Sequence, residues 1–106
     1  MKKIRAIVKR PDEKYGHMTN VSNTLENFQR TVGGYIEVVN ITDKVVCVCN
    51  EEGKNLGLPK NFRIPGDVIV GDVILCGVDG DEFCDIPIEF ATWKTILDKL
   101  EDRSWI

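Results

Sequence analysis

The sequence predicts an α+β domain in two layers: a mainly antiparallel sheet of about five to six strands, with two helices on one face. Three observations predict it. The apolar positions switch between a 3.6-residue and a two-residue period along the chain. β-Branched residues crowd positions 35–50 and 67–78. The connections between those stretches are short and polar, so neighbouring strands pair most simply as antiparallel hairpins.

Residues 2–9 alternate. Ile4, Ala6 and Val8 point one way, Lys3, Arg5 and Lys9 the other, and Ile7 breaks the pattern. This predicts a half-buried strand with a basic outer face, a solvated edge whose lysines discourage edge-to-edge pairing. Residues 11–20, PDEKYGHMTN, read as a loop carrying the chain's single histidine, His17, exposed and without a partner specified by spacing. Val21, Leu25, Phe28 and Val32 then fall on one face of a helix. Asn23 followed by Glu26 is a variant of the capping box, and Ser22 is the alternative cap. Gly33-Gly34 ends the helix, because glycine enters the left-handed C-cap conformation without a Cβ clash. The period then changes to two. Ile36 and Val38 face one way, while Tyr35, Glu37 and Val39 face the other. Thr42-Asp43 makes a turn into a second strand over residues 44–50.

A polar turn follows, Asn50-Glu51-Glu52-Gly53-Lys54. Residues 55–66 hold Pro59, Pro65, Gly57 and Gly66 among Leu56, Leu58, Phe62 and Ile64. Proline removes ladder donors, so this reads as an ordered loop pinned to the core rather than a central strand. Residues 67–78 carry the strongest strand signal, and Gly71-Asp72 marks a bulge or a turn that splits it. Asp79-Gly80-Asp81 is a hairpin tip with residues 82–85 returning. Its acidic residues lack the glycine and distal glutamate of a calcium loop and read as a solvated turn. A closing helix is capped by Asp85 or a neighbour, with Pro87 in its first turn. Its apolar stripe is Phe90, Trp93, Ile96 or Leu97, and Leu100, and Trp105 and Ile106 either tuck back onto the sheet or fray.

A length of 106 residues predicts one domain spanning 1–106. No apolar run approaches the ~20 residues that cross a bilayer. Arg5 and Lys9 interrupt any signal-peptide core, so an intracellular protein is expected. That setting argues against disulfides. Cys47 and Cys49 share a strand face, and Cys76 and Cys84 flank the hairpin tip. The spacing is not that of a zinc ribbon, so four reduced, mostly buried thiols and no metal are expected. Net charge is −3, although five of the fourteen basic residues lie in the first ten positions. No broad basic face of the kind that binds nucleic acid results.

No catalytic constellation is present. Glu51-Glu52 and the Asp79/Asp81 pair are adjacent acids in turns, where solvation is the ordinary state, and no base or nucleophile accompanies them. An enzyme is therefore not expected. The candidate ligand- or partner-binding residues are Tyr35, Asn50, Glu51, Glu52, Asn61 and Arg63, which lie in or beside the polar turn and the proline-rich segment. Arg63 suits an anionic ligand, because its planar fork matches phosphate or carboxylate. Pairing with Glu51 or Glu52 is its competing use.

The runs GGYIEVV, VCNEEGKNLGLPKN and GDVIVGDVILCG, with the N-terminal IRAIVKRPD, have an order and spacing that resemble the domain-of-unknown-function family 3846. Its members are small proteins of bacteriophages, plasmids and integrative elements. The resemblance implies a setting and no activity: the cytoplasm of a bacterium carrying a mobile element, and an accessory role. The expected function is a non-enzymatic binding protein that counteracts host defence by binding a host or phage protein or by sequestering a small nucleotide. A nucleic-acid-associated regulator is the alternative. No cofactor is expected, and an exposed sheet face leaves room for a homodimer.

Overall fold

A computed structural model describes residues 2–102. Its elements run β1 (Lys3–Lys9), β2 (His17–Ser22), α1 (Leu25–Val32), β3 (Ile36–Asn40), β4 (Val45–Asn50), β5 (Lys60–Ile64), β6 (Asp67–Val70), β7 (Val73–Asp79), β8 (Glu82–Cys84) and α2 (Phe90–Glu101). Six strands make the main sheet in the order β2-β1-β7-β4-β3, with β8 paired to β7; β5 and β6 make a separate two-stranded sheet. Every pairing is antiparallel. The α+β class and the antiparallel sheet therefore stand, and no helix among the described residues is long and apolar enough to cross a membrane.

The placement of both helices on one face does not stand. Every residue of β4 is buried, and successive side chains of a strand point to opposite faces, so a strand apolar on both sides needs cover on both. Val46 and Val48 pack with Ile4, Ala6, Ile74 and Cys76 beneath Phe28 and Val32 of α1. Val45, Cys47 and Cys49 pack with Ile7, Val73 and Leu75 beneath Trp93 and Leu97 of α2 and Phe62 and Ile69 of the β5–β6 hairpin. The two helices cover opposite faces, in three layers instead of two. Ile7 no longer breaks a pattern, because its side of β1 is also core.

Other local expectations shift for identifiable reasons. β1 is interior, between β2 and β7, and the sheet edges are β2 and β3. The segment read as a loop over residues 11–20 holds most of β2, whose polar residues occupy an edge position. The proline-rich segment contains β5, because Pro59 and Pro65 sit just outside its ends; the ladder to β6 shifts register once, between Lys60 and Phe62. Gly71-Asp72 does split the long apolar run, sending β6 and β7 to different sheets. Gly71 has φ +77, and a Cβ there would lie 2.8 Å from Leu58 Cδ1, so the junction accepts little but glycine.

The cap of α1 is Thr24, not Asn23 or Ser22: its Oγ1 accepts from Asn27 N at 3.1 Å. Gly33 closes the helix in the left-handed region, donating to Gln29 O at 2.8 Å. Asp85 does not cap α2, because its Oδ1 accepts from Arg5 N at 2.8 Å. The N-cap is Glu89, and Pro87 lies ahead of the helix. Trp105 and Ile106 lie outside the described residues.

Candidate functional site: two clefts beside the β5–β6 hairpin

The hairpin lies next to α2 on one face of the sheet. Covering a face with two separate pieces leaves seams, and the polar residues nominated from sequence fall at or near them.

Asn50 is buried at the end of β4. Its Nδ2 donates to Val32 O at 3.1 Å, and its Oδ1 accepts from Glu52 N at 2.7 Å. One side chain thus caps the end of α1 and shapes the following turn. Glu51 N donates to Tyr35 O at 2.9 Å, which ties that turn to the start of β3. The Glu52 carboxylate accepts from Asn55 Nδ2 at 3.0 Å. The Tyr35 ring stands 72 % exposed, and Val38 on the edge strand is 46 % exposed. Arg63 is not paired with Glu51 or Glu52; its backbone N–H donates to Glu101 Oε1 at 3.0 Å. The six nominated residues therefore do not form one site.

The first seam lies between β6 and the β3–β4 edge. It is a cleft of about 240 Å³ lined by Glu37, Cys49, Asn50, Glu51, Lys54 and Asp67 with apolar Val39, Val68 and Ile69. Lys54 and Asp67 form an ion pair across it. That bond holds the Asp67 carboxyl below its ordinary range and the Lys54 ammonium above its own. With the pair neutralised, Glu37 and Glu51 leave the cleft acidic. The Cys49 thiol sits at its floor and donates to Glu37 O at 3.7 Å. Its contact with Cys47 lowers the Cys49 pKa and raises that of the buried Cys47.

The second seam lies between β5, α2 and the end of β1. It is a cleft of about 310 Å³ lined by Lys9, Pro11, Glu13, Lys14, Lys60, Asn61, Phe62, Leu97 and Glu101. Lys9 is only 2 % exposed, although lysines are almost never fully buried unless paired. Its Nζ donates to Asn61 Oδ1 at 2.6 Å and lies 5.9 Å from the Phe62 ring centroid. Asn61 Nδ2 in turn donates to Lys9 O at 3.0 Å and Gly71 O at 2.7 Å. Asn61 is thus a bracket that aims Lys9. Burial lowers the Lys9 pKa, partly offset by the charges of Glu101, Glu13 and Asp12.

A third, wider hollow of about 640 Å³ lies between Arg10, Arg30, Leu58 and Asp72. Arg30 is already paired with Glu26, and the hollow receives the C-terminal end of α1, whose dipole disfavours anions.

The four cysteines do not gather in one place, although Cys47 and Cys49 touch. Cys47 and Cys49 belong to the α2 face and Cys76 to the α1 face, so the sheet separates them. All four are free, and burial pushes the Cys76 thiol up to about 12. Among the described residues no three His, Cys, Asp or Glu side chains are grouped to hold a metal ion.

Asn50, Glu51 and Asn61 thus line the seams, whereas Lys9, Lys60, Glu37, Lys54 and Asp67 were missed. The signal for Lys9 was Ile7: an apolar residue on the basic side of β1 implies that this side is buried, and Lys9 shares it.

Neither a curated protein nor a solved structure matches the chain significantly. Residues 4–101 match the family described as "Domain of unknown function (DUF3846)", and the chain belongs to that family.

Proposed function

We propose that this chain is a non-enzymatic accessory binding protein of a bacteriophage or another mobile genetic element, acting in the bacterial cytoplasm. Its partner is a protein that presents an extended, basic segment to β3 and the acidic cleft. The observation that carries this reading is the edge strand itself. Among the described residues β3 has a neighbour, β4, on one side only, so its outer row of backbone N–H and C=O groups is open to an added strand. Its sequence, IEVVN, has none of the lysines or prolines that usually guard an edge. Val38 and Tyr35 are exposed along it, and Glu37 and Glu51 beside it favour lysine or arginine side chains on the incoming strand. Neutralising a host defence protein by capturing such a segment is a role this surface fits.

A selection of displayed peptides on the immobilised protein tests this. Alternating apolar and basic peptides are expected, with binding abolished by Val38→Lys and weakened about tenfold by Glu37→Lys. Absence of enrichment, or peptides indifferent to Val38→Lys, contradicts the reading. Light scattering on the same variants identifies a second copy of the chain as the occupant if a wild-type dimer falls apart in Val38→Lys.

The nucleic-acid reading has weaker support. Of the basic residues on β1, Lys9 is buried and the Arg5 guanidinium donates to Ile86 O at 3.3 Å. A mobility shift at low salt, where phosphate attraction is strongest, tests it.

A further inference from the structure

We propose that the cleft between β1, β5 and α2 is a binding site for a small molecule bearing an oxyanion group, a phosphate or a carboxylate, which accepts from the ammonium of Lys9. The inference does not rest on strand capture at β3, which uses the opposite flank of the hairpin.

An ammonium carries three N–H donors. Among the described residues, Asn61 Oδ1 is the one hydrogen-bond acceptor of Lys9 Nζ, which leaves two donors for a ligand. Nor, among the described residues, does an ion pair neutralise the charge. Glu13 and Glu101 line the cleft, but neither lies within salt-bridge distance of Lys9. Glu13 is engaged by Arg10 N at 2.9 Å and His17 Nδ1 at 3.3 Å. Glu101 is engaged by Arg63 N at 3.0 Å. Each acid is thus bonded to a donor other than Lys9.

The lysines are differently disposed. Lys14 and Lys60 stand at the rim with no ion pair among the described residues. The cleft therefore combines one inner ammonium, fixed by Asn61, with two outer ones, on a chain whose net charge is −3. A buried, incompletely paired charge is costly. An oxyanion supplies the two further acceptors and a directly bonded countercharge, which Glu101, Glu13 and Asp12 provide only at a distance; the ligand must outweigh repulsion from Glu13 and Glu101 in the cleft. The apolar wall of Phe62 and Leu97 accommodates the ligand's non-polar part. A volume of about 310 Å³ lies at the small end of ligand sites and suits a metabolite rather than a dinucleotide.

The test is thermal unfolding in inorganic phosphate and in acetate, each against sodium chloride at the same ionic strength. The site predicts a rise in Tm with phosphate or acetate that chloride does not reproduce, because a ligand bound only to the folded chain stabilises it. Which anion acts identifies the group. Calorimetric titration then separates the lysines. Lys9→Met keeps the aliphatic stem and loses the anion response entirely. The rim variants Lys14→Met and Lys60→Met each keep it with affinity lowered by about three- to tenfold. If Lys9→Met does not fold, the two rim variants carry the test, because their exposed side chains are dispensable for the core. No anion-specific rise in the wild type overturns the proposal. So does a rise that survives Lys9→Met or is indifferent to both rim variants.

Discussion

On one face of the sheet a single helix, α1, closes the core, with Phe28 set edge-on against Phe83 at 4.9 Å. On the other face the cover is shared. There α2 and the β5–β6 hairpin meet through Phe62 and Trp93, edge-on at 5.7 Å, and a cleft remains on each flank of the hairpin. The difference shows where a small domain finds room for binding groups. The one-piece cover is also flanked by hollows, of about 640 Å³ beside Arg30 and about 230 Å³ beside Phe28 and Phe83, but among the described residues neither is lined by a buried charged side chain. A two-piece cover leaves seams, and the polar residues there, Lys9 and Asn61 on one side and Glu37, Glu51 and Lys54 on the other, are held by the fold without being exhausted by it.

The largest expected effects test the comparison at its aromatic anchors. Trp93→Ala and Phe28→Ala each remove a buried ring and should cost about 3–5 kcal/mol in denaturant unfolding. Trp93→Ala also frees the Tyr15 carbonyl, which accepts from Trp93 Nε1 at 2.9 Å. The faces should separate in binding. Phe28→Ala keeps the anion affinity within about twofold, whereas Trp93→Ala, which removes the support of Phe62, loses roughly tenfold. Equal losses in both variants would break the distinction between the faces.

Asn50 is where the two faces communicate, because it joins the end of α1 to the turn that borders the acidic cleft. Asn50→Ala leaves Val32 O and Glu52 N without their partner and should cost about 1–3 kcal/mol in the same unfolding measurement. It should also weaken peptide capture at β3.

The dependence on pH sharpens the contrast between the clefts. Lys9 has a folded pKa below its ordinary 10.5. Between the two values the unfolded chain binds more protons, so stability should rise with pH through that window, and Lys9→Met should flatten the rise. Asp67 and Glu13 add a rise of the same sign at the acid end, there because the folded state favours the charged form rather than disfavouring it. Their folded pKa values lie below the ordinary 3.8 and 4.5, so the stability they contribute is present above those values and lost as pH falls through the folded ones. Both are roughly one third or more exposed, so this loss is small and screened by salt. Tm followed across pH reads both limbs.

The smallest effect belongs to Lys54→Met. Its ion pair with Asp67 is at the surface, and stability at physiological salt should not change measurably. Removing that positive charge should nevertheless tighten the binding of basic peptides to the acidic cleft.

Much of this was legible from residue order. Period changes, Gly33-Gly34 and Gly71-Asp72 mark the strands and α1 because they are local signals. Which face each helix covers is not local. It follows from the run Val45 to Cys49, apolar at consecutive positions, which means cover on both sides and was read only as a dense strand. β5 escaped because its bracketing prolines resemble a loop, and β2 because an edge strand can be polar. Asn50, Glu51 and Asn61, nominated from sequence, line the clefts, but what they hold was not legible. Asn61 serves Lys9, 52 positions away in sequence, and Glu101 accepts from the Arg63 backbone N–H, 38 positions away, since long-range register decides such contacts.

The central claim is that anion binding belongs to the face with the shared cover. Amide chemical-shift mapping during a phosphate titration at constant ionic strength tests it most directly. The account predicts that the largest shifts fall at residues 9–14, at residues 60–62 and along the C-terminal half of α2, with α1 and β2 unmoved. Shifts centred on Arg30, Gly33 and Asp72, or none at all, would contradict it.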